Sequence, residues 1–494
     1  MGKLTRRTAL LGLGGAAGWF AARHIAAAPD PLAGVPRLRQ PEGNFILNDA
    51  SGLSATPVAR HSVVRSSGEA LALEIKAEMI AAKAEGRRFN VGAARHSMGG
   101  QAIPRDGYAM TLDNGALELD SATGIYRVSA GARWSQVIAA LDPLGFSPKV
   151  MQSNHDFGVA ATFSVNAHGW PVPFGPMGHT VRAIRMVMPS GEMVRCSPTE
   201  NADLFGHAMG GYGLIGAIYE MEVEAVANTR LVPSFEEMPA TGFAPAFQQA
   251  IDDPSVTMAY GRLNVSRESF FTDALLITYR EAPDQSDLPP APGSGWMSHV
   301  ASRLYRAQVG SEVMKRFRWW NETTVGPLLG GGQTTRNALI NEPVATLDDR
   351  DPDRTDILHE YFVGFDRFGD FLTACREVIP ASYQEFLNVT LRYVAPDDVS
   401  TLSYAPVPRI AAVMSFSQEM TQRAEVDMAA MTQALIHRIL EIGGTYYLPY
   451  RPHATEEQFR RAYPRAEEFA AAKRAIDPDL VLRNGLWDRY MERL

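Results

Sequence analysis

The sequence predicts an α+β protein of two or three domains. The chain has 494 residues, which is longer than one compact domain usually reaches. Its early part follows the order strand, helix, strand, loop, with strands near residues 63–65 and 88–91. From residue 231 onward, longer strand-like runs alternate with helices, for example at 389–394 and 411–416. The hydrophobic content of 46% is sufficient for well-packed cores.

Local signals predict the remaining elements of the first half. Ser66 and Glu69 have capping-box spacing, and Leu71, Ile75 and Met79 then fall on one face of a helix that Gly86 ends. The later predicted elements are short strands at 109–112 and 125–130, a helix at 135–144, and a hairpin of 184–188 with 193–196.

A glycine-rich loop follows the strand that ends near residue 91. Residues 91–101 read VGAARHSMGGQ, and their three glycines allow backbone N–H groups to approach an anion closely. The segment is neither GxGxxG nor a Walker loop, and alone it would favour a simple turn. With His96 and Ser97, however, the pattern Gly-x-x-Arg-His-Ser-x-x-Gly-Gln resembles the flavin-pyrophosphate loop of the vanillyl-alcohol oxidase family, which carries a PCMH-type FAD-binding domain.

Two later stretches resemble the same family, in the same order. Residues 153–169 are rich in Gly, Asn and His, and alone they would favour a polar turn network. They stand where the family has its second flavin-contacting loop, which implies that Ser153, Gly158 and Ser164 contact FAD. Residues 210–218 (GGYGLIGAI) are similar to the segment that lies along the adenine half of FAD, which implicates Ala217 and Ile218.

The resemblance implies a two-subdomain PCMH-type FAD-binding domain plus an antiparallel-sheet cap domain that forms the substrate pocket. Many members of the family bond the histidine at the position of His96 covalently to the flavin 8α-methyl group, so a covalent link to FAD is expected here. A bare histidine would more often be a structural hydrogen-bonding residue. The further cofactor contacts that the resemblance implies are Gly92, Ala93, Ala94, Arg95, Ser97, Gln101 and, in the closing segment, Asn484.

The predicted organisation has five segments. They are a twin-arginine-type signal peptide at 1–28, an extended lead-in at 29–55, the FAD-binding domain at 56–230, the cap or substrate domain at 231–445, and a C-terminal segment at 446–494 that returns to the FAD domain.

The N-terminus has the features of an export signal. Arg6 and Arg7 precede a weakly apolar run to Phe20 and the small residues 26–28. A membrane anchor is the alternative, but the run is shorter than the roughly 20 residues that a spanning helix needs. The sequence therefore predicts export by the twin-arginine route, to the periplasm or its equivalent, and leaves open whether the signal is cleaved.

Charge and cysteine content narrow the classes of partner. A formal net charge of −8 and a pI near 5.8 argue against nucleic acid or an anionic membrane as the main partner. Cys196 and Cys375 are too few for a disulfide framework or a structural zinc site, and no metal is expected. Whether these two cysteines pair stays open.

Oxidation by a flavin needs a group that takes a proton and cations that stabilise the reduced ring. Arg392, Arg451 and His453 are predicted for these roles: arginine keeps its charge at any relevant pH, and histidine can act as the base. For each, a surface position or an ordinary ion pair is the alternative. The aromatic clusters Trp319-Trp320 and Glu360-Tyr361-Phe362 are predicted to pack in a core, with substrate stacking as the alternative.

The subfamily is less clearly indicated. Alditol oxidases resemble this chain at Arg392 and at Arg451 to His453, but they usually have Glu where Thr390 stands, and their Trp-Gly-Lys is replaced by residues 454–456, which weakens a polyol assignment. Cytokinin dehydrogenases share His-Ser-x-x-Gly-Gln-Ala, but Asp156 is offset from their catalytic Asp. Berberine-bridge relatives have a second, cysteine tether where Asn154 and His155 stand.

These features predict an exported FAD-dependent oxidoreductase that oxidises a CH–OH group of a sugar, sugar lactone, polyol or related compound. Its partners would be a small hydroxylated substrate and an electron acceptor, either oxygen or a quinone or cytochrome. The alternatives are a flavin-dependent C=C reductase of the sterol-reductase type and a non-catalytic flavin-binding protein.

Overall fold

The computed structural model describes residues 32, 34–38, 41, 45–292, 303, 305–330, 332–343 and 351–494. Contacts divide the chain into the units Met1–Arg39 and Gln40–Leu494, and all elements below belong to the second unit. The predicted signal peptide lies outside the described residues. Among the helices of the described part, none is both long and apolar enough to span a membrane.

The described part of the chain contains both strands and helices throughout its length. The strands of the first half are β1 Ile46–Leu47, β2 Thr56–Pro57, β3 Arg60–Val64, β4 Phe89–Gly92, β5 Tyr108–Leu112, β6 Leu117–Asp120, β7 Ile125–Ser129, β8 Phe146–Pro148, β9 Val181–Val187, β10 Met193–Cys196 and β11 Ala217–Ala227. Those of the second half are β12 Arg230–Pro239, β13 Val256–Leu263, β14 Asp273–Glu281, β15 Thr334–Thr335, β16 Arg354–Val363, β17 Glu385–Val394, β18 Arg409–Glu419 and β19 Thr445–Tyr446. The helices are α1 Gly68–Ala84, α2 Trp134–Leu141, α3 Val159–Ser164, α4 Ala202–Ala208, α5 Phe243–Asp252, α6 Glu312–Trp320, α7 Gly326–Gly330, α8 Arg336–Ile340, α9 Phe368–Val378, α10 Gln422–Glu441, α11 Glu456–Ala462 and α12 Ala466–Ile476.

The described residues in the first half of the second unit form three sheets, of which the smallest is the antiparallel pair of β1 and β2. A parallel sheet in the order β3–β5–β4 packs against α1, whose apolar face is buried. An antiparallel sheet follows in the order β10–β9–β11–β7–β6, with β8 paired to β11. The predicted hairpin is confirmed, with Met193 opposite Val187. The predicted capping box at Ser66 is wrong, because Ser67 occupies the N-cap and no side chain caps the helix.

The second half is built on one antiparallel sheet of eight strands, in the order β15–β12–β14–β13–β17–β18–β16–β19. Helix α10 packs against β16 and β18, and α5 packs against β13 and β14. Gly261 on β13 faces α5, since a Cβ there would lie 2.3 Å from the Phe243 ring. Strand side chains alternate between faces, so Arg262 points to the opposite side of the sheet. The α+β class with an antiparallel cap sheet is thereby confirmed.

The C-terminal residues pair with the first half. Phe89 forms a parallel β-bridge with Leu482, and Gly485 N donates to Gly100 O at 3.0 Å. The capping box of α11, formed by Thr455 and Gln458, is present as predicted. Residues 482–485 of the C-terminal segment thus contact both the strand before the glycine-rich loop and the loop itself.

Asp397, in the loop after β17, joins the cap to the segment after α3. Its Oδ2 accepts from Asn166 Nδ2 at 2.9 Å, and its Oδ1 lies 3.0 Å from His179 Nε2 and accepts from Ser400 N at 3.1 Å. Burial alone would raise the pKa of Asp397, but the hydrogen bonds from His179 and Ser400 outweigh it and lower that pKa. The carboxylate is therefore held ionised between the two halves.

The aromatic clusters differ in their environment. Tyr361 and Phe362 are fully buried in the core, as predicted. Trp320 is 51% exposed, so its predicted core packing is wrong, and Trp319 is only partly buried, with its indole N–H donating to Glu237 at 3.1 Å. Both tryptophans lie at the C-terminal end of α6. Lys315 is the only residue of this helix that is fully buried.

Candidate active site

A cavity of about 510 Å³ lies between the loops of the first half and the face of the cap sheet opposite α5. The three resembling stretches meet in it, although they are far apart in sequence. The predicted cofactor contacts that line it are Gly92, Ala93, Ala94, Arg95, His96, Ser97, Gln101, Ser153, Gly158, Ser164, Ala217 and Ile218.

The first two loops touch at Gly158. A Cβ on Gly158 would lie 2.7 Å from the Ala93 Cβ, well inside normal contact distance, so only glycine allows this approach. The third stretch closes against the second, with Tyr212 N donating to Ser164 O at 2.8 Å. Tyr212 and Gly213 have φ of 55° and 70°, a left-handed turn that brings the backbone of 213–218 to the cavity wall.

Two buried guanidinium groups flank these loops. Arg95 Nη1 donates to Thr111 Oγ1 at 2.6 Å, while its Nε and Nη2 have no acceptor in the described part of the chain. Burial, with a smaller effect of the nearby Arg133, lowers the pKa of Arg95 to about 10. Arg133 Nη1, which lies 3.4 Å from where a Gly158 Cβ would be, is likewise without an acceptor among the described residues.

These features fit an anionic dinucleotide. Buried donors without acceptors are costly unless a ligand satisfies them, and two cations beside a glycine-rich loop complement a diphosphate. The loops therefore fit FAD. The sequence reading missed Arg133, because it lies outside the three resembling stretches and only folding brings it to Gly158.

His96 lies in the middle of the first loop and Gln101 at its C-terminal end. The His96 ring lines the cavity and packs on Phe157 with ring centroids 4.4 Å apart. Gln101 connects the loop to the C-terminal segment, since its Nε2 donates to Leu448 O at 2.7 Å and Tyr450 O at 3.1 Å.

Asn484 is the predicted cofactor residue that does not line the cavity. It is fully buried, its Nδ2 donates to Tyr212 O at 2.9 Å, and its Oδ1 accepts from Leu486 N at 3.1 Å. All of its polar atoms are thus used within the protein. Asn484 supports the third loop from behind instead of facing the cavity.

Of the three predicted catalytic residues, only Arg392 lines the cavity. Its Nη2 donates to Ser153 Oγ at 3.0 Å and its Nη1 to His168 O at 3.4 Å. Its Nε is buried and has no acceptor within the described ranges. Burial lowers the pKa of Arg392, and the Glu360 carboxylate partly opposes that shift.

Arg451 and His453 lie outside the cavity lining and share a different carboxylate. Arg451 Nη2 donates to Glu425 Oε1, and His453 Nε2 lies 3.0 Å from the same oxygen. Burial alone would raise the pKa of Glu425, but the hydrogen bond from His453 and the charge of Arg451 outweigh it and lower that pKa. Burial lowers the pKa of His453 despite this contact. Arg451 Nη1 also donates to Met98 O at 3.3 Å, which connects the glycine-rich loop to Glu425 on α10. Neither Arg451 nor His453 is among the described residues that line the cavity.

Instead, the cavity contains a buried pair for which the sequence predicted no catalytic role. His168 Nε2 and Glu360 Oε1 are hydrogen-bonded, both side chains are 2% exposed, and both residues line the cavity. Tyr450 OH donates to Glu360 Oε2 at 3.4 Å. A carboxylate within an apolar strand is costly to bury unless it is paired, and this was the signal that could have identified Glu360.

Glu360 lies on the same sheet face as Thr390, the position at which alditol oxidases usually have a glutamate. Glu360 on β16 lies opposite Val413 on β18, which lies opposite Thr390 on β17. All three residues line the cavity on the same face of the sheet. The structure thus brings a carboxylate to the cavity from a strand two positions away from the one carrying Arg392.

Comparison with known proteins supports FAD as the ligand of the three loops. Residues 72–197 match the family described as "FAD binding domain". The chain is 29% identical over 147 residues to a putative D-arabinono-1,4-lactone oxidase of Neurospora crassa, covering 29% of this chain and 24% of the relative. It is 23% identical over 446 residues to decaprenylphosphoryl-beta-D-ribose oxidase of Mycolicibacterium smegmatis, with 83% and 91% covered, and 18% identical over 431 residues to L-gulonolactone oxidase of Bos taurus, with 85% and 92% covered.

The matched segment includes the first two loops and ends before the third. The chain spans about a quarter of the length of the first of these relatives and nine-tenths of the other two. The converging loops, their unpaired cations and these matches agree. The chain carries a PCMH-type FAD-binding domain with FAD as its cofactor, and it is similar along most of its length to two FAD-linked oxidases.

Proposed function

We propose that the protein oxidises a CH–OH carbon of a sugar, sugar lactone or related hydroxylated compound by hydride transfer to FAD. The observation that carries this proposal is the His168–Glu360 pair, which lines the same cavity as the three flavin loops. Relatives named as lactone and ribose oxidases support it. When bound, FAD accepts the hydride and the two electrons that the substrate loses.

In this reaction Glu360 is the proton acceptor. The substrate C–H bond breaks with its electron pair leaving as hydride, the hydroxyl proton moves to the Glu360 carboxylate, and the carbon becomes a carbonyl. The hydrogen bonds from His168 and Tyr450 hold the carboxylate in place. Arg392 supplies a positive charge on the same wall, where it stabilises negative charge that develops during the reaction.

We propose further that His96 carries the flavin covalently. Its ring lines the cavity from the glycine-rich loop and is fixed against Phe157. Acid-denatured protein is then expected to stay yellow after gel filtration, and His96→Ala protein to lose its colour on the same treatment. Acid-stable colour in His96→Ala would show that the link is elsewhere.

The overall reaction is tested with purified protein and a panel of sugars, lactones and polyols. Bleaching of the flavin absorbance under anaerobic conditions shows which compounds reduce it. Oxygen uptake compared with dye reduction then separates an oxidase from a dehydrogenase that uses a quinone or cytochrome. Bleaching by NAD(P)H alone, followed by reduction of a C=C bond, would establish the reductase alternative, and a flavin that no compound reduces would point to a binding protein.

Export by the twin-arginine route remains part of the proposal. The adjacent Arg6 and Arg7 and the weak apolar run support it. Fractionation of cells is expected to find the protein outside the cytoplasm, and Arg6→Lys with Arg7→Lys to retain it inside. Normal export of the double variant would contradict this route. Export of the wild-type protein by a cell that lacks the twin-arginine system would contradict it as well.

A further inference from the structure

Two arginines converge at the cap-sheet wall of the cavity. Arg262 on β13 and Arg318 on α6 both line the cavity, and both donate to Asn388 Oδ1, at 3.0 Å and 2.9 Å respectively. One neutral amide oxygen is thus shared by two guanidinium groups. Two like charges held this close repel each other unless negative charge lies nearby.

Only one of these arginines has a carboxylate partner. Arg318 Nε donates to Glu322 Oε1 at 2.8 Å. Arg262 Nη1 donates additionally to Thr390 Oγ1 at 2.6 Å, but no carboxylate lies within 4.0 Å of Arg262 in the part of the chain that the structure describes. Two positive charges at this wall therefore share the single carboxylate of Glu322, whose pKa both arginines lower.

Further donors surround these charges. The Tyr305 hydroxyl and the Ser415 hydroxyl are 2.6 Å apart, and both residues line the cavity. The Arg318 guanidinium lies 5.3 Å from the centre of the Tyr305 ring. Glu342 also lines the cavity, but it belongs to the opposite side, where it forms a β-bridge with Asn154. This wall therefore presents hydroxyl and guanidinium donors together.

The sheet register sets the distance from this wall to the proposed proton acceptor. Arg262 lies opposite Thr390, Thr390 opposite Val413, and Val413 opposite Glu360, on adjacent strands. Three strand spacings of about 4.8 Å separate the backbones of Arg262 and Glu360 by about 14 Å. A substrate that contacts both residues must therefore extend along this face of the sheet between them.

We propose that the substrate carries an anionic group, a carboxylate or a phosphate, remote from the reacting CH–OH carbon, and that Arg262 binds this group with help from Arg318 and Tyr305. The inference rests on the proposed function, because Glu360 defines the reacting end. It makes the enzyme an oxidase or dehydrogenase of hydroxylated acids or sugar phosphates, with neutral polyols as poor substrates.

Matched pairs of compounds test the inference by calorimetry on the FAD-loaded protein. The pairs are D-glucuronate with its neutral amide, D-glucuronamide, and D-ribose 5-phosphate with D-ribose; inorganic phosphate is a further probe. We expect the charged member of at least one pair to bind about 10- to 100-fold more tightly, as a charge-assisted hydrogen bond contributes. The pair with the larger difference identifies carboxylate or phosphate.

Variants then assign the effect to Arg262. Arg262→Gln is expected to remove the preference for the charged member, so that the two members of a pair bind alike, whereas Arg262→Lys retains part of the preference. Turnover should show a raised KM with kcat changed much less, because Arg262 is remote from the reacting carbon. Arg280→Gln on the neighbouring strand β14 is the matched control, since Arg280 pairs with Asp253 away from the cavity.

The outcomes separate this inference from the proposed function. Equal or undetectable binding of charged and neutral compounds by the wild-type protein overturns the anion site, while turnover of neutral compounds would leave the oxidase function standing. Unchanged anion affinity in Arg262→Gln overturns it as well. If anions bind through Arg262 but no compound reduces the flavin, the proposed function fails and the anion site stands. If Arg262→Gln does not fold, competition in the wild-type protein replaces it. Inorganic phosphate should then weaken binding of the charged compound and leave binding of its neutral partner unchanged, and failure to compete would overturn the anion site.

Discussion

Replacement of Glu360 by Gln is the strongest test of the catalytic assignment. The change preserves the shape of the side chain, and the amide can still accept a hydrogen bond from His168 while its NH₂ faces the Tyr450 hydroxyl oxygen. Packing around this buried position is therefore retained, and what is lost is the ability to accept a proton. The variant should fold and bind FAD as the wild type does.

The size of the effect follows from this single loss. A positioned general base contributes about 10²- to 10⁴-fold to the rate, which corresponds to roughly 3–5 kcal/mol of activation free energy. Stopped-flow reduction of the flavin at saturating substrate should slow by that factor in Glu360→Gln, with KM changed only a few-fold. Glu118→Gln, an exposed position on β6, is the control and should match the wild type.

His453→Gln makes the test discriminating. His453 contacts Glu425 outside the cavity lining, so its replacement should affect stability more than the rate of flavin reduction. If Glu360→Gln reduces the flavin at the wild-type rate and His453→Gln is slowed about 100-fold or more, the assignment of Glu360 is refuted. The original prediction of His453 as the base would then be correct.

Three further predictions concern the scaffold. Gly158→Val should cost about 1–3 kcal/mol through overlap with Ala93 and weaken FAD retention, measured as flavin per protein after dialysis; full retention would contradict the contact between the loops. Asp397→Asn should lower the free energy of unfolding by roughly 2 kcal/mol at neutral pH. Because the pKa of Asp397 is lowered in the folded state, this difference from the wild type should shrink as pH falls below about 4. A difference in unfolding free energy that does not change with pH would refute the ionised carboxylate. Cys196 and Cys375 are buried and unpaired, so thiol reagents should modify neither in the native protein and both after denaturation, and a reductant should leave Tm unchanged.

Local features of the fold were largely predictable, because their causes lie within a few residues. The hairpin of β9 and β10 and the capping box at Thr455 were predicted from turn and cap residues next to the elements they organise. The failed capping box at Ser66 shows the limit of such reasoning, since the helix begins one residue later. Exposure of Trp320 shows that aromatic character alone does not predict burial.

The candidate site was predictable to the extent that it depends on backbone. Loops that receive a diphosphate need glycine at fixed positions, and this requirement is visible in sequence whatever the rest of the chain does. The side chains that were expected to act from the cap and the C-terminal segment separate in the structure. Arg392 lines the cavity, whereas Arg451 and His453 turn toward Glu425 on α10.

The sequence by itself determined that this chain has three glycine-rich segments suited to FAD and a second half rich in strands. Only the tertiary structure decided which charged groups share the cavity with them. His168 and Glu360 are 192 residues apart, and Arg262 and Asn388 are 126 apart. Such pairs are selected by strand order and register in a sheet assembled from distant segments, and no periodicity or spacing within either segment encodes them.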